Sequence, residues 1–371
     1  MEWFTDKERM LINSLYQLDL NNGSNTVLDA YMRSKRIHRP ILPSSKRYEL
    51  YESIGLTQLW FQTPPCRFSV SGKCTMCNYW NGKHIPGLVK QIVTEVKLQD
   101  SCHTLLINTC GSCLDTREIP RDELICLLGW IANAHVESVI FESHWTTLTN
   151  DTLSLIHEIL SHKKVFYEIG IESTNPDSLF YLLNKPSSLT DFRKIIERVH
   201  SYNAQCIMNI IFGTPFLNSE EQILDAVSSI HELFEKQADY VVLFPINIKP
   251  CTLVMDLYKH QQYARVPIKM IAELLLDHFA DVLDKINVAW FGDRFEEGVI
   301  PPASCDTCGA STVELLKRYN DENENDARQK ILEQITAIHC GCKEKYISFR
   351  TFGTLHERLN KYYSELNMGR W

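Results

Sequence analysis

The amino-acid sequence reads as an α/β chain whose parallel strands and crossover helices form a closed or partly open barrel. Three observations lead there. From about residue 58 to 250, short apolar runs alternate with amphipathic helical patterns, the signature of strands buried on both faces and joined by helices. No run of roughly 18 apolar residues interrupts them, so no membrane span is expected. The 371 residues are 44% hydrophobic and 23% charged, enough core for one large domain with additions or for two domains.

The elements follow in order. Residues 1 to about 60 read as helical. Met10, Leu11, Ile12 and Leu15, then Leu18, Leu20, Val27, Leu28 and Tyr31, recur at helical spacing, broken by the turn Asn21-Asn22-Gly23-Ser24. A basic stretch follows, Arg33, Lys35, Arg36, His38 and Arg39, closed by Pro40. It is a solvated helix end or a local site for phosphate. Strands are expected at 104–108, 138–142, 166–172, 205–212 and 240–245, with helices at 121–134, 151–161, 189–202 and 219–234 between them. Five or six such units make the barrel, and the loops at the C-terminal strand ends should carry the site. Beyond residue 250 the pattern weakens to helices at 253–259 and 269–286 and the polar stretch 320–326. The expected division is 1–57, an N-terminal helical extension; 58–250, the barrel core; and 251–371, a C-terminal domain with a cysteine site.

Charge and cysteines narrow the chemistry. A net charge of −8 gives no global pull toward nucleic acid. The first eight residues lack a basic region followed by an apolar core, so a secretory leader is not expected. Thirteen cysteines, an odd number, do not read as a disulfide framework, which points to a reducing, cytoplasmic location and to metal chemistry.

Two cysteine groups have ligand spacing. Cys66, Cys74 and Cys77 follow two prolines that end a strand, as C-x7-C-x2-C. A structural zinc normally takes four protein ligands. Three thiolates suit a [4Fe–4S] cluster with one iron left open, able to chelate the amino and carboxylate groups of S-adenosylmethionine. The bland alternative is three buried thiols in a loop. Cys305 and Cys308, then Cys340 and Cys342, are two close pairs with 31 residues between them. They suit a four-thiolate zinc pinning the C-terminal domain, with an auxiliary iron–sulfur cluster or free thiols as alternatives. Glu172 and Glu142 each stand at the C-terminal end of a strand, where a carboxylate can accept from ribose hydroxyls or cap the structure. Lys185 is solvated or pairs with a cofactor carboxylate. Asn247 forms a turn or contacts adenine or substrate. Ser219, with Gln222 three residues on, is the expected cap of the helix at 219–234.

Taken together, Pro65-Cys66-Arg67-Phe68, Gly72-x-Cys74-Thr75-Met76-Cys77-x-Tyr79, Thr109-Cys110-Gly111-Ser112-Cys113-Leu114-Asp115, Glu118-Ile119-Pro120, Gly170-Ile171-Glu172, Asn184-Lys185, Pro215–Glu220 and Asn247 through Thr252-Leu253 resemble radical S-adenosylmethionine enzymes. Among them the chain is most similar to the radical subunit family of archaeosine synthase, over residues 60 to about 345. The resemblance implies a partial (β/α)6 barrel and a turn at Gly111 and Ser112 against the methionine amino group. It also implies ribose contacts at Glu172 and adenine contacts near residues 211–221. Cys110 and Cys113 depart from the family pattern, which has Ser and Phe there; as residues they read as small buried side chains, with a redox or substrate-facing thiol as the alternative. The expected chemistry is reductive cleavage of S-adenosylmethionine to a 5′-deoxyadenosyl radical that takes hydrogen from a small polar, amino-acid-like substrate. An external one-electron reductant of flavodoxin or ferredoxin type would supply the electron. The resemblance implies another substrate, a tRNA 7-deazaguanine carrying a lysine adduct, cleaved to leave a formamidine. A metal-stapled interaction or electron-transfer protein would explain the cysteines but neither Glu172 nor the Gly111 turn. No residue is assigned a catalytic role.

Overall fold

In the computed structural model, which describes residues 2–37, 47–185, 191–292, 298–347 and 353–368, the chain opens with α1 (Asp6–Tyr16) and α2 (Thr26–Ile37). Thr5 and Glu8 close a capping box on α1, and Gly23, at φ 64°, turns the chain between the helices. The helical reading does not hold to residue 60. Tyr48–Ser53 (β1) and Leu56–Phe61 (β2) pair antiparallel. Here the aromatic and aliphatic residues Tyr48, Leu50, Tyr51, Leu56, Leu59, Trp60 and Phe61 flank a two-residue turn at Ile54-Gly55, with Gly55 at φ 72°, and hairpin chemistry outweighs the helical spacing. His38, Arg39 and Pro40 of the basic stretch lie outside the described residues, as does the side chain of Arg36.

From β2 onward the sheet is parallel: β3 (Thr104–Asn108), β4 (Ser138–Ser143), β5 (Lys164–Glu172), β6 (Gln205–Phe212), β7 (Tyr240–Pro245) and β8 (Ile286–Val288). The crossovers are α3 (Arg67–Ser71) with α4 (Leu88–Glu95), then α5 (Arg121–Asn133), α6 (Asn150–Leu160), α7 (Phe192–His200), α8 (Ser219–Glu235), and α9 (Leu253–Lys259) with α10 (Ile268–Phe279). Spatial order equals chain order, β1 to β8, so the sheet curls one way as a half-barrel. Among the described residues no pairing joins β1 to β8, and the barrel stays open. Two details correct the sequence reading. Asn218, not Ser219, caps α8, because its Oδ1 accepts from Glu221 N at 2.9 Å while Glu221 reaches back to Asn218 N at 2.8 Å. The helix expected at 269–286 ends at Phe279, and after a 3-10 stretch broken at Val282 (φ −136°) the chain enters β8.

The two faces of the sheet follow from the period of two. Phe141 and Tyr167 stack with ring centroids 6.1 Å apart and are fully buried on one face of the sheet. Their neighbours Ile140, Glu142, Phe166 and Glu168 therefore face the inside of the half-barrel. At the end of β5 the register shifts between Gly170 and Glu172, and Glu172 takes φ 70°. This bulge re-aims the Glu172 side chain.

The C-terminal helices α11 (Gly309–Asp321), α12 (Asn325–Thr336), α13 (Cys342–Ile347) and α14 (Leu355–Asn367) close the molecule at two places. Asn320 on α11 accepts from Val288 N at 3.0 Å and donates to Val288 O at 2.6 Å, which occupies the exposed edge of β8. The α14 helix returns to the N-terminal helices. There the Tyr363 hydroxyl accepts from Asn25 at 2.7 Å and donates to Tyr181 O at 2.7 Å.

Candidate active site and a second cysteine cluster

The loop after β2 is held from three sides. Cys66 sits at the start of α3, with its N–H donated to Tyr79 O at 3.0 Å. Gly72 ends α3 at φ 105°, with Asp29 so close that a Cβ would lie 2.6 Å from its carbonyl oxygen; only glycine combines that backbone and that approach. Beyond it the loop lies along residues 182–184. Cys74 N donates to Asn184 O and Thr75 N to Leu183 O, both at 3.0 Å, and the Thr75 hydroxyl reaches Leu182 O at 3.0 Å. Leu253 N at the start of α9 donates to Thr75 O at 3.0 Å. Asn184 and Lys73 both bind Asp29 of α2, at 2.8 and 2.9 Å. The N-terminal helices thus position the cysteine loop, a role that sequence reading did not assign them.

Cys74 is buried and Cys66 and Cys77 are half-buried, and they lie within electrostatic reach of one another: Cys77 raises Cys66, and Cys77 and Cys66 both raise Cys74. Burial pushes Cys66 up to about 11 and Cys74 up to about 12, and also raises Cys77. They stay neutral thiols until a metal displaces their protons. Lys185 and Lys249 oppose the shift, Lys185 at Cys74 and both lysines at Cys77. Lys185 is buried and pairs with Glu172 at 2.9 Å, its ammonium also donating to Gly170 O at 3.1 Å and lying 5.1 Å from the Trp145 ring centre. Burial would lower its pKa, but Glu172 and then Cys74 hold it above the ordinary value. Lys249, which no sequence motif flagged, lies 4.3 Å from the Tyr79 ring centre and 5.2 Å from that of Trp290, a cation–π seat beside the thiols. Cys74, Asn184 and Glu172 all have positive φ, 63°, 51° and 70°. Non-glycine residues rarely adopt that conformation, and it clusters at functional sites.

The turn after β3 is built around Glu118. Its carboxylate fills the place a Cβ of Gly111 would take and accepts from Ser112 N at 3.1 Å and from the Thr63 hydroxyl at 3.3 Å. Burial raises Glu118 to about 8. Gly111 is therefore required by a carboxylate of this same chain. The Ser112 hydroxyl bonds Thr147 at 2.7 Å and accepts from His144 N at 3.1 Å. Cys110 and Cys113 are buried beside it, as their small size suggested. Asn247 donates to Trp290 O at 2.8 Å and Pro245 O at 3.3 Å, which ties two strand-end loops together. Inside the half-barrel, burial and then the neighbouring Glu168 push Glu142 up to about 8, against the pull of Asn108 and Lys249.

The four C-terminal cysteines gather tightly, their sulfurs all within 4.8 Å of one another. Cys305 and Cys308 are 3.6 Å apart, Cys308 and Cys342 3.8 Å. Cys308 precedes α11 and Cys342 begins α13, and burial raises both thiols. Hydrogen bonds from the Cys308 and Thr307 backbone pull Cys305 down to about 6. Cys66, Cys74 and Cys77 do not draw together this closely. His200, Cys206 and Asp239 do, at the opposite end of the strands. There the Asp239 carboxylate already accepts from His200 and from Cys206 N, both at 2.8 Å.

The site thus combines a one-way curled parallel sheet with three thiols in the loop after its first parallel strand, and the chain is similar to the following proteins. Two relatives are named archaeosine synthase subunit beta. That of Thermococcus kodakarensis is 26% identical over 53% of this chain and 63% of its own length. That of Methanosarcina acetivorans is 22% identical over 79% of this chain and 86% of its own length. The first match thus spans less than two thirds of that relative. Among solved structures, an N-terminally deleted Elp3 of the archaeon Methanocaldococcus infernus is 13% identical, covering 69% of this chain and 59% of that one, with a TM-score of 0.45. No protein-family model matches the chain.

Proposed function

We propose that Cys66, Cys74 and Cys77 hold a [4Fe–4S] cluster and that S-adenosylmethionine lies beside it over the mouth of the half-barrel. The observation that carries this is the set of three thiols, Cys74 buried and Cys66 and Cys77 half-buried, with Lys185 acting on Cys74 and both Lys185 and Lys249 acting on Cys77. Three soft sulfur donors fit such a cluster, and the two cations offset an anionic group. When bound, the cluster supplies the electron and the open coordination position for reductive cleavage of S-adenosylmethionine to a hydrogen-abstracting 5′-deoxyadenosyl radical. The chain's own part is placement. Glu172, fixed by Lys185, faces the ribose hydroxyls. The backbone at Gly111 and Ser112, stiffened by Glu118, lines the methionine side. Asn247 holds the loop expected near adenine. The Tyr79, Trp145 and Trp290 rings screen the cations from water.

The proposed substrate is small, polar and amino-acid-like, consistent with the acidic chain. Two described members of the basic stretch are already engaged: Lys35 pairs with Asp256 at 2.8 Å and Arg33 donates to Ser71 O at 3.1 Å. The relatives' names favour a second reading, a 7-deazaguanine of tRNA. Salt separates the two, because each phosphate contact adds roughly −0.7 to −0.9 to the log–log slope of tRNA affinity. A flat profile supports the small substrate, and a steep one supports tRNA. The C-terminal cysteines are proposed as a zinc site, since Zn–S bonds of about 2.3 Å in a tetrahedron place sulfurs about 3.8 Å apart. The test of the main reading is anaerobic reconstitution with iron and sulfide, followed by measurement of 5′-deoxyadenosine after reduction. Stoichiometric release with methionine is expected, and none from a fully loaded protein would refute it.

A further inference from the structure

We infer that the base of the half-barrel holds a site for a borderline divalent transition-metal ion, such as zinc or cobalt, built from His200, Cys206 and Asp239. The site lies at the end of the strands opposite the thiol loop and is independent of the chemistry proposed there.

Short local steps bring the three side chains together. His200 closes α7, and in the tight turn that follows Asn203, at φ 53°, donates its N–H to His200 O at 3.0 Å. Cys206 is the second residue of β6, so the chain returns to His200 almost at once. Asp239 immediately precedes β7, whose Tyr240 pairs with Ile207 of β6, and this register sets Asp239 beside Cys206. Its carboxylate accepts from His200 Nε2 and from Cys206 N, both at 2.8 Å, and from Gln205 at 3.3 Å. A ring nitrogen of His200, the Cys206 sulfur and a carboxylate oxygen of Asp239 all lie within 4.8 Å of one another.

The donor set selects the ion. Thiolate and imidazole are soft or borderline ligands that suit zinc-like metals, whereas magnesium and calcium take oxygen. With Zn–S bonds of about 2.3 Å and Zn–N and Zn–O bonds of about 2.1 Å, tetrahedral ligand atoms stand about 3.4 to 3.6 Å apart. Side-chain shifts on the order of 1 Å therefore admit an ion. His200 can make most of that shift, because it ends a helix and its side chain is 35% exposed, whereas Cys206 is fully buried. Coordination exchanges the His200–Asp239 hydrogen bond for two metal bonds and can leave the bond from Cys206 N in place.

A second observation lies next to the cluster. Asp239 also lines a cavity of about 830 Å³, together with Asp281, Asp284, His231 and His278. Asp281 and Asp284 are exposed, so the cavity opens to water, and its carboxylates outnumber its one lysine, Lys285. Such a wall concentrates cations. It supplies an entry path and a water for the fourth position, the arrangement of a three-ligand zinc site. Three protein ligands hold a metal less firmly than the four thiolates of the C-terminal cluster, so this site fills after that one.

The test takes reconstituted full-length protein, given about one equivalent of zinc for the four-cysteine cluster, and brings it to equilibrium by dialysis against cobalt(II). Bound cobalt is counted, and its neighbours are read by cobalt X-ray absorption. About one cobalt per chain is expected, with about one sulfur and three nitrogen or oxygen neighbours. His200→Ala should weaken cobalt binding at least about tenfold with iron and zinc content unchanged, and Cys206→Ser should remove the sulfur neighbour. If Cys206→Ser does not fold, the wild-type neighbours and His200→Ala decide. No bound cobalt overturns the site. So does cobalt with about four sulfurs, which places it in the C-terminal cluster, or with none, which places it on surface carboxylates. Cobalt affinity left intact by His200→Ala in a folded protein overturns it as well.

Discussion

Glu118 shows at the scale of one residue what could and could not be read in advance. Gly111 and Ser112 were legible as a turn after a strand, and Glu118 stood six residues on. Nothing in the spacing said that the carboxylate would fill the glycine's empty side and take the Ser112 N–H. Glu172 and Lys185 were likewise visible singly, but their 2.9 Å pairing depends on a bulge and a positive φ that no local pattern announces. Lys249 carries no motif at all. Its place was set by Tyr79 and Trp290, which are distant in sequence. The Glu118 geometry has a measurable consequence. Its folded-state pKa is raised by burial from 4.5 to about 8, so its contribution to stability is intact below the lower value and lost as pH rises through the upper one. Glu118→Gln, which keeps an acceptor oxygen for Ser112 N, should flatten that decline. The check is urea unfolding of both proteins at pH values spanning the window. The slope for one proton is about 1.4 kcal/mol per pH unit, and parallel curves for the two proteins would show that Glu118 does not titrate in this way.

At the scale of elements, β3, β6 and β7 stand where apolar runs bounded by turn residues placed them, because strands buried on both faces need little context to be recognised. The hairpin of β1 and β2 was hidden, since Tyr48–Ser53 interrupts Tyr48, Leu50 and Tyr51 with Glu49 and Glu52 and carries less hydrophobic signal than its neighbours. The three-residue β8 was merged into a helix whose end is a 3-10 kink, with no glycine or proline to mark it. The α2 helix was seen as a helix but not as the support of the cysteine loop. That support runs through Gly72, and Gly72→Ala tests it. A methyl group at φ 105°, 2.6 Å from Asp29 O, must separate α2 from the loop. The strain alone is of order 1–3 kcal/mol. A lower unfolding midpoint with reduced iron uptake is expected. Unchanged iron content in a folded variant would show that the loop holds its shape without α2.

At the scale of the whole molecule, the half-barrel is an open sheet closed by its ends: Asn320 on the edge of β8, and α14 against α1 and α2. The two cysteine groups were legible from their spacing, whereas the interior of the barrel appears only once register is known. Among the described residues no helix is long and apolar enough to cross a membrane. If the C-terminal four-cysteine site is a closed zinc site, metal analysis should find about one zinc per chain, and Cys308→Ser should lower thermal stability more than it lowers turnover per folded chain. Additional iron with no zinc would assign an auxiliary cluster there instead. The claim on which the rest depends is that the three N-terminal thiols hold the radical cluster. It is tested most directly by 5′-deoxyadenosine release from anaerobically reconstituted wild type and Cys74→Ala under reduction with S-adenosylmethionine present. The account predicts release from wild type and none above background from Cys74→Ala, whose C-terminal metal should remain. Full release from Cys74→Ala would contradict it.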